Sequence, residues 1–196
     1  KMKIQKEIDF ILAVDALKNV NRRNYNADDS RRENTAEHSW QIIILAQILF
    51  PYAKNNTEIN LLRVIRMLSI HDLVEIDAGD TFLFDEEGMK GKFEREKLAA
   101  KKIFGILDEP LSSEFYNLWI EFEEEETPDA IFACAIDRMM PFILNTYTSG
   151  KSWTEAGVTE KQVRNMLENA ICRASDDMGD CFQLLMKKCF DEKKFS

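Results

Sequence analysis

Apolar residues recur at intervals of three and four along almost the whole 196-residue chain, which is the spacing of a helix buried on one side. Glycine and proline, which turn-rich β folds require, number only 7 and 4. The length favours one domain over two. We therefore predict an all-α protein, a helical bundle in which residues 1–196 form a single domain.

The predicted helices begin at capping residues and end at turn-forming residues. They cover residues 3–20, 35–50, 57–76, 92–104, 112–126, 128–145 and 159–190, the last with a break near Gly179. A polar stretch, residues 21–34, joins the first two. The first helix carries an apolar stripe of Ile4, Ile8, Ile11 and Leu12. The residues that cap or stop the helices are Asn34 or Thr35, with Glu37 as part of a capping box, then Pro51, Thr57, Pro128 and Thr159.

The charge balance limits the partners. Lys and Arg together number 26 against 35 Asp and Glu, a net charge of −9 that repels a nucleic-acid backbone. A nucleic-acid polymer is therefore an unsuitable partner, whereas a cluster of arginines can still bind one small phosphorylated molecule. The sequence also lacks an uncharged apolar run of the roughly 18 residues that a membrane span needs, so we expect no membrane partner.

The cysteines indicate the compartment. The four cysteines lie at positions 134, 172, 181 and 189 and form no C-x-x-C pair, unlike the framework of a secreted disulfide-rich domain. The first twenty residues are interrupted by Glu7, Asp9 and Asp15, which is not typical of a signal peptide. We expect a cytoplasmic protein.

Acidic residues interrupt the apolar face of the third predicted helix. Its stripe runs through Leu61, Ile65, Leu68, Asp72 and Glu75, so the core-facing side becomes acidic near its end. His71 flanks this stripe, one turn before Glu75. Burying two carboxylates costs several kcal/mol each unless a cation compensates them.

Two further polar residues lie among apolar neighbours. Asp137 lies within Phe132–Met140, where only Arg138 is also charged, and His38 precedes the apolar run of the second helix. With His71 and Asp72 they give two imidazoles and two carboxylates, a suitable ligand set for one divalent metal with positions left for water and substrate. Each residue alone has a simpler explanation, because a buried histidine can be hydrogen-bonded and Asp137 can pair with Arg138 or a helix N-terminus.

The segments that carry these residues resemble a known family. Glu37-His38-Ser39-Trp40, then His71-Asp72-Leu73-Val74-Glu75 with Gly79-Asp80-Thr81, and finally Asp137 are similar to the H…HD…D signature of the HD-domain metal-dependent phosphohydrolases. Residues 31–38, preceded by Arg22-Arg23, resemble the branch that includes 5′-deoxynucleotidases. The resemblance covers about residues 8–147 and implies a helical bundle of HD-domain type, which the helices at about 159–190 complete or extend into an oligomer interface.

The resemblance also implies roles. His38, His71, Asp72 and Asp137 would bind one divalent ion, which could be Mn, Co, Fe, Ni, Zn or Mg. Glu75 would be the acid/base group, and Asp80 would orient or deprotonate the attacking water. Arg22 would bind the substrate phosphate, and Arg23 stands where the deoxynucleotidase pattern has Trp. Dinuclear relatives need additional histidines, which this chain lacks, so the resemblance implies a mononuclear centre.

The favoured function is that of a metal-dependent phosphomonoesterase, in which a metal-activated water releases phosphate from (deoxy)nucleoside 5′-monophosphates. Two alternatives stay open within enzymes, a nucleotide pyrophosphohydrolase and a phosphatase of another small metabolite. A third is a non-catalytic metal- or nucleotide-binding regulatory module.

Other charged and apolar residues have simpler interpretations. Arg22, Arg23, Arg31 and Arg32 could be solvated loop charges, Asp77 a surface acid, and Glu123–Glu126 a solvated helix end. A homodimer would suit apolar residues near the end of the chain, Phe182, Leu185 and Phe190, although packing within the chain would explain them equally well.

Overall fold

The computed structural model describes residues 2–195. It is 73% helical with one two-stranded sheet, which confirms the predicted all-α class. No helix within residues 2–195 has the length and apolarity needed to cross a membrane. The α-helices are α1 Gln5–Val14, α2 Thr35–Leu49, α3 Leu61–Ile70, α4 Glu75–Ala78, α5 Glu86–Met89, α6 Lys92–Phe104, α7 Leu111–Glu124, α8 Pro128–Tyr147, α9 Lys151–Ala156, α10 Glu160–Val163, α11 Asn169–Ala174 and α12 Asp176–Asp191.

Helix α8 lies at the centre of the bundle. It packs against α2, α3, α7, α11 and α12, and most of its side chains are buried. Its sequence is apolar on every side from Phe132 to Ile136, and a helix of this kind is stable only when surrounded by other elements. Pro128 occupies its first turn, as predicted, and the Thr127 side chain caps it.

The polar stretch between the first two helices forms a β-hairpin rather than an irregular connection. Its strands are β1 Asn21–Tyr25 and β2 Arg32–Asn34, antiparallel, with Asn21 opposite Asn34 and Tyr25 opposite Arg32. The Asn24 side chain donates to the Pro141 carbonyl of α8 at 3.1 Å. The hairpin therefore brings polar residues against the buried central helix.

The third predicted helix is shorter than expected. Asn60, not Thr57, caps α3, and the helix ends at Ile70 before a 3₁₀ turn, His71–Val74. His71 Nδ1 lies 2.9 Å from the Leu68 carbonyl, which a continuous α-helix would use for the N–H of Asp72. This side-chain bond and the tighter turn separate α3 from α4 at the residues of greatest chemical interest.

The C-terminal region begins as predicted and breaks elsewhere. Thr159 forms a capping box with Gln162, but the break falls at Ser175 rather than Gly179. Ser175 caps α12 through its side chain and donates to the Tyr52 carbonyl at 2.7 Å. Gly179 lies within α12 and packs closely against Cys172, where a larger residue would press on the thiol.

Apolar residues near both termini are divided between core and surface. Ile4, Ile11 and Leu12 of the predicted first stripe are exposed, although α1 itself forms. Phe182 and Leu185 are buried, and the Phe182 ring lies 4.7 Å from that of Phe142. Packing within the chain therefore accounts for both residues.

Substitution of Phe182 tests how much α12 contributes to the core. Phe182 is 0% exposed, so Phe182→Ala should lower the free energy of unfolding by about 3–5 kcal/mol. Leu184 on the same helix is 69% exposed, and Leu184→Ala should change it by less than about 0.5 kcal/mol. Chemical denaturation measures both values. Equal effects of the two substitutions would contradict this packing.

Candidate active site

Four side chains from three distant parts of the chain converge at the centre of the bundle. His38 comes from the first turns of α2, His71 and Asp72 from the 3₁₀ turn, and Asp137 from the middle of α8. One potential ligand atom of each lies within 4.8 Å of those of the other three. These are the four residues that the sequence singled out as candidate metal ligands.

Asp137 lies between the two imidazoles. Its Oδ1 is 2.8 Å from His38 Nε2 and 3.5 Å from His71 Nε2, so it does not pair with its neighbour Arg138. Arg138 instead forms an ion pair with Glu125. Burial raises the pKa of Asp137, but the hydrogen bond from His38 and the close approach and charge of both histidines outweigh this effect and hold that pKa well below its ordinary value.

The donor set suits a divalent cation. His71 Nδ1 faces the Leu68 carbonyl, which leaves Nε2 directed at the site. Within residues 2–195 that buried Nε2 makes no hydrogen bond, although Asp72 Oδ1 lies 3.0 Å away. Buried polar atoms without a partner are uncommon in proteins and indicate a missing ligand. Two imidazole nitrogens and two carboxylates match first-row divalent metals.

Three more predicted residues adjoin this cluster. The Arg22 side chain is only 13% exposed, and its Nη1 lies 3.3 Å from Asp72 Oδ2, 3.7 Å from Asp80 Oδ1 and 4.0 Å from Glu75 Oε1. Arg22 is therefore a buried cation of the site and not a solvated loop charge. Arg23 borders the adjoining cavity, but its side chain is exposed.

The two candidate acid/base residues hold protons more tightly than ordinary carboxyls. Burial, together with the charge of Asp72, raises the pKa of Glu75 well above its usual value and outweighs Arg22 and a hydrogen bond from Thr35. Burial likewise raises the pKa of Asp80 despite the opposing charge of Arg22. A raised carboxyl pKa suits a group that exchanges protons near neutral pH.

A cavity of about 360 Å³ opens beside the cluster. Its wall combines charged side chains of both signs with aromatic rings, an arrangement that can bind a polar and a flat apolar group together. Lys92 is the cation on the α6 side, where Glu96 Oε2 lies 3.1 Å from its Nζ. The lining residues that matter here are Arg22, Arg23, Lys92, Phe82, Phe84, Phe93 and Phe122.

Sequence reasoning missed several contributors. Thr35 is completely buried and donates from Oγ1 to Glu75 Oε2 at 2.9 Å. Glu33 lies buried behind His38, and Lys92 lines the cavity. Thr35 and Glu33 belong to the segment that carries the family resemblance, so polar residues just before His38 were the available signal. No sequence signal pointed to Lys92, because the charge pattern of its helix is typical of a surface helix.

The acidic run near the end of α7 also needs correction. Glu123 lines the cavity, and burial raises its pKa above the ordinary value. Glu125 forms ion pairs with Arg138 and Arg173. These two residues are therefore not part of a simple solvated helix end. Asp77 is exposed and pairs with Lys102, as expected of a surface acid.

Comparisons with known proteins agree with this geometry. The family model described as HD domain matches residues 14–178. The chain belongs to the HD domain family. A crystal structure from Magnetospirillum magnetotacticum, described as a predicted metal-dependent phosphohydrolase, aligns with a TM-score of 0.93 and 39% identity over 99% of this chain and 96% of that one.

Curated relatives carry a more specific name. The 5′-deoxynucleotidase HDDC2 of Danio rerio is 29% identical over 67% of this chain and 64% of its own length. The protein of the same name from Homo sapiens is 28% identical over 67% of this chain and 62% of its own length. The chain thus spans slightly less than two thirds of these relatives.

Metal affinity should increase with pH. Burial lowers the pKa of His71, but Asp72 and Asp137 outweigh it and raise the pKa to about 9. A metal must displace the Nε2 proton, so the apparent Kd for Mn²⁺ should fall by up to about tenfold per pH unit from pH 6 to 8, and flatten above about 9. Calorimetry in buffers of different ionisation enthalpy measures both the affinity and the proton released.

The Asp77→Asn variant is the control, since it removes an exposed acid from the same segment without touching His71. It should keep the wild-type pH dependence. A wild-type affinity that stays constant from pH 6 to 8 would contradict a protonated His71.

Proposed function

We propose that this protein is a metal-dependent phosphomonoesterase that releases phosphate from (deoxy)nucleoside 5′-monophosphates. The observation that carries the proposal is the convergence of His38, His71, Asp72 and Asp137 beside a buried arginine and a cavity. In this proposal the four residues hold one divalent ion. The names of the matched relatives support the chemistry and the substrate class.

A bound divalent ion would lower the pKa of water and polarise a phosphoryl oxygen. The protein's own residues do the rest. Arg22 binds the substrate phosphate, because its guanidinium complements phosphoryl oxygens and its position is fixed by surrounding carboxylates.

Glu75 and Asp80 handle the protons of the hydrolysis. Thr35 donates to Glu75 Oε2, which leaves Oε1, 4.0 Å from Arg22 Nη1, to exchange the proton. Asp80 Oδ1 lies 3.7 Å from the same Arg22 Nη1, and Asp80 orients the water that attacks phosphorus. The P–O bond to the nucleoside breaks, and the leaving oxygen takes up a proton to become a hydroxyl.

The cavity supports a nucleoside as the leaving group. Its volume of about 360 Å³ lies in the range typical of small-molecule sites. The rings of Phe82 and Phe84, whose centroids are 5.2 Å apart, provide an apolar wall for a base. Arg23 lies at the cavity edge, so we propose that it contacts the substrate outside the phosphate site.

Removal of the Glu75 carboxyl should separate catalysis from metal binding. Glu75→Ala should lower kcat by about a hundredfold or more, as general acid/base groups usually contribute, while the Kd for Mn²⁺ changes less than threefold. Asp77→Asn, which removes a surface acid two residues away, should retain wild-type kcat. Steady-state kinetics and calorimetry give the two values. Full activity of Glu75→Ala would remove Glu75 from the mechanism.

The decisive experiment measures phosphate release from a panel of ribo- and deoxyribonucleoside 5′-monophosphates. Metal-stripped protein receives Mn²⁺, Co²⁺, Mg²⁺ or Zn²⁺, with His71→Ala alongside. Metal-dependent release that His71→Ala abolishes is expected. Pyrophosphate release from triphosphates would instead indicate a pyrophosphohydrolase, and stoichiometric metal binding without any release would indicate a non-catalytic module.

We further propose a cytoplasmic homodimer. Its contact surface would be the helix stripe, which comprises Trp40, Ile44, Ile48 and Tyr52, exposed by 65, 38, 61 and 53%. Trp40, Ile44 and Ile48 recur every four positions of α2 and extend about 12 Å, and Tyr52 follows in the 3₁₀ turn Phe50–Tyr52. No charged residue occurs between His38 and Lys54, so two copies of this acidic protein can meet there without repulsion. The free cysteines support a reducing compartment.

A charge at the middle of the helix stripe should dissociate the dimer. Light scattering should give twice the 22.8 kDa chain mass for the wild type and the chain mass for Ile44→Asp. Leu184→Asp places the same charge at an exposed apolar residue of α12 and should leave the dimer intact. A monomeric wild type would refute the homodimer.

A further inference from the structure

Three buried polar atoms meet behind the candidate metal ligands. Arg22 Nε, Glu33 Oε2 and His38 Nδ1 are all buried, and none makes a hydrogen bond within the described part of the chain. Glu33 Oε2 lies 3.5 Å from Arg22 Nε and 3.6 Å from His38 Nδ1. An unsatisfied buried polar group is costly and therefore rare, so three such atoms that face one another are better explained as one shared interaction than as three defects.

Glu33 is positioned for this interaction by the hairpin. It is the buried residue of β2, at 2% exposure, and it directly precedes Asn34, the N-cap of α2. Arg22 lies on the paired strand β1, and His38 is in the first turns of α2. The hairpin and the helix start therefore direct an arginine and a histidine at the same carboxylate.

His38 and Arg22, the two partners of Glu33, serve different parts of the site. His38 presents Nε2 to Asp137 and the ligand cluster, and Nδ1 to Glu33. A histidine that binds metal through Nε2 keeps its proton on Nδ1. A carboxylate that accepts a hydrogen bond from this Nδ1–H fixes the tautomer and the ring orientation. Arg22 presents Nη1 to Asp72 and Asp80, and Nε to Glu33.

We propose that Glu33 is a positioning residue that fixes His38 and Arg22 together, and so sets the separation between the metal and the substrate phosphate. The proposal rests on the function proposed above. A carboxylate that only neutralised Arg22 would affect folding and phosphate binding, but not the metal. A carboxylate that only oriented His38 would affect the metal alone.

The test uses metal-stripped full-length protein and compares wild type with Glu33→Ala, Glu33→Gln and the control Glu37→Gln. Glu37 is a nearby acid that pairs with exposed Arg31, and glutamine preserves its capping role. Calorimetry gives the Kd for Mn²⁺ and, in Mn²⁺-loaded protein, for inorganic phosphate. Thermal unfolding gives stability.

Glu33→Ala should weaken Mn²⁺ binding by about 10–100-fold, as loss of a partner of a metal-binding histidine typically does, and should also weaken phosphate binding at saturating Mn²⁺. Glu33→Gln keeps an acceptor oxygen without the charge, so both affinities should fall between those of wild type and Glu33→Ala. Because this variant is nearly isosteric, it decides the question if Glu33→Ala does not fold. Glu37→Gln should match the wild type.

A spectroscopic measurement separates positioning from stability. The chain has only two histidines, so ¹⁵N spectra of the Zn²⁺-loaded protein resolve the His38 ring. Wild type should show a single Nδ1–H tautomer with a slowly exchanging proton, and Glu33→Gln should exchange that proton faster. Unchanged exchange with only a lower melting temperature would overturn the proposal.

Other outcomes are equally decisive. Weakening of metal binding alone, or of phosphate binding alone, would overturn the claim that one carboxylate holds both partners. None of these measurements uses turnover, so a protein that binds Mn²⁺ and phosphate but hydrolyses no nucleotide would refute the proposed function and leave the role of Glu33 intact. A wild type that binds no Mn²⁺ would refute both.

Discussion

Excess negative charge at the centre of the bundle is the constraint on which the surrounding structure depends. Carboxylates from the hairpin, the 3₁₀ turn, the following loop and α8 crowd around one guanidinium and two imidazoles. This group holds more carboxylates than cations, so in a buried site either protonation or a further cation must reduce its negative charge. Burial, with a smaller contribution from the charge of Asp72, raises the pKa of both Glu75 and Asp80, and protonation of these carboxyls is the alternative to neutralisation by a metal.

The irregular elements of the fold are explained by this cluster. Helices enclose most of α8, while the hairpin packs on its remaining side and the 3₁₀ turn adds buried Leu73 and Val74 to the core. The hairpin directs Arg22 inward, and the turn places His71 and Asp72 side by side in a way that a continuous helix would not. Departures from regular helix geometry therefore coincide with chemistry, as is common at functional sites.

Sequence reasoning found the parts of this arrangement that interrupt an apolar pattern. His38, Asp72 and Asp137 stood out because their neighbours are apolar, and Asn34, Pro128 and Thr159 because helix starts have a local signature. It did not find the hairpin, whose strands are polar and short, with a register that depends on docking against α8. It also missed Lys92 and Glu123, which face the cavity only because α6 and α7 pack around it.

The positions of the candidate ligands along the chain affect the stability of the protein and its turnover in the cell. Residues 38, 71, 72 and 137 span a hundred residues, so a cation held by them would act as a removable cross-link that closes two long loops. Binding free energy available only to the folded chain adds directly to its stability. When metal is scarce, a larger fraction of this protein would thus be unfolded and exposed to proteolysis. The cell would then lose the polypeptide along with its activity.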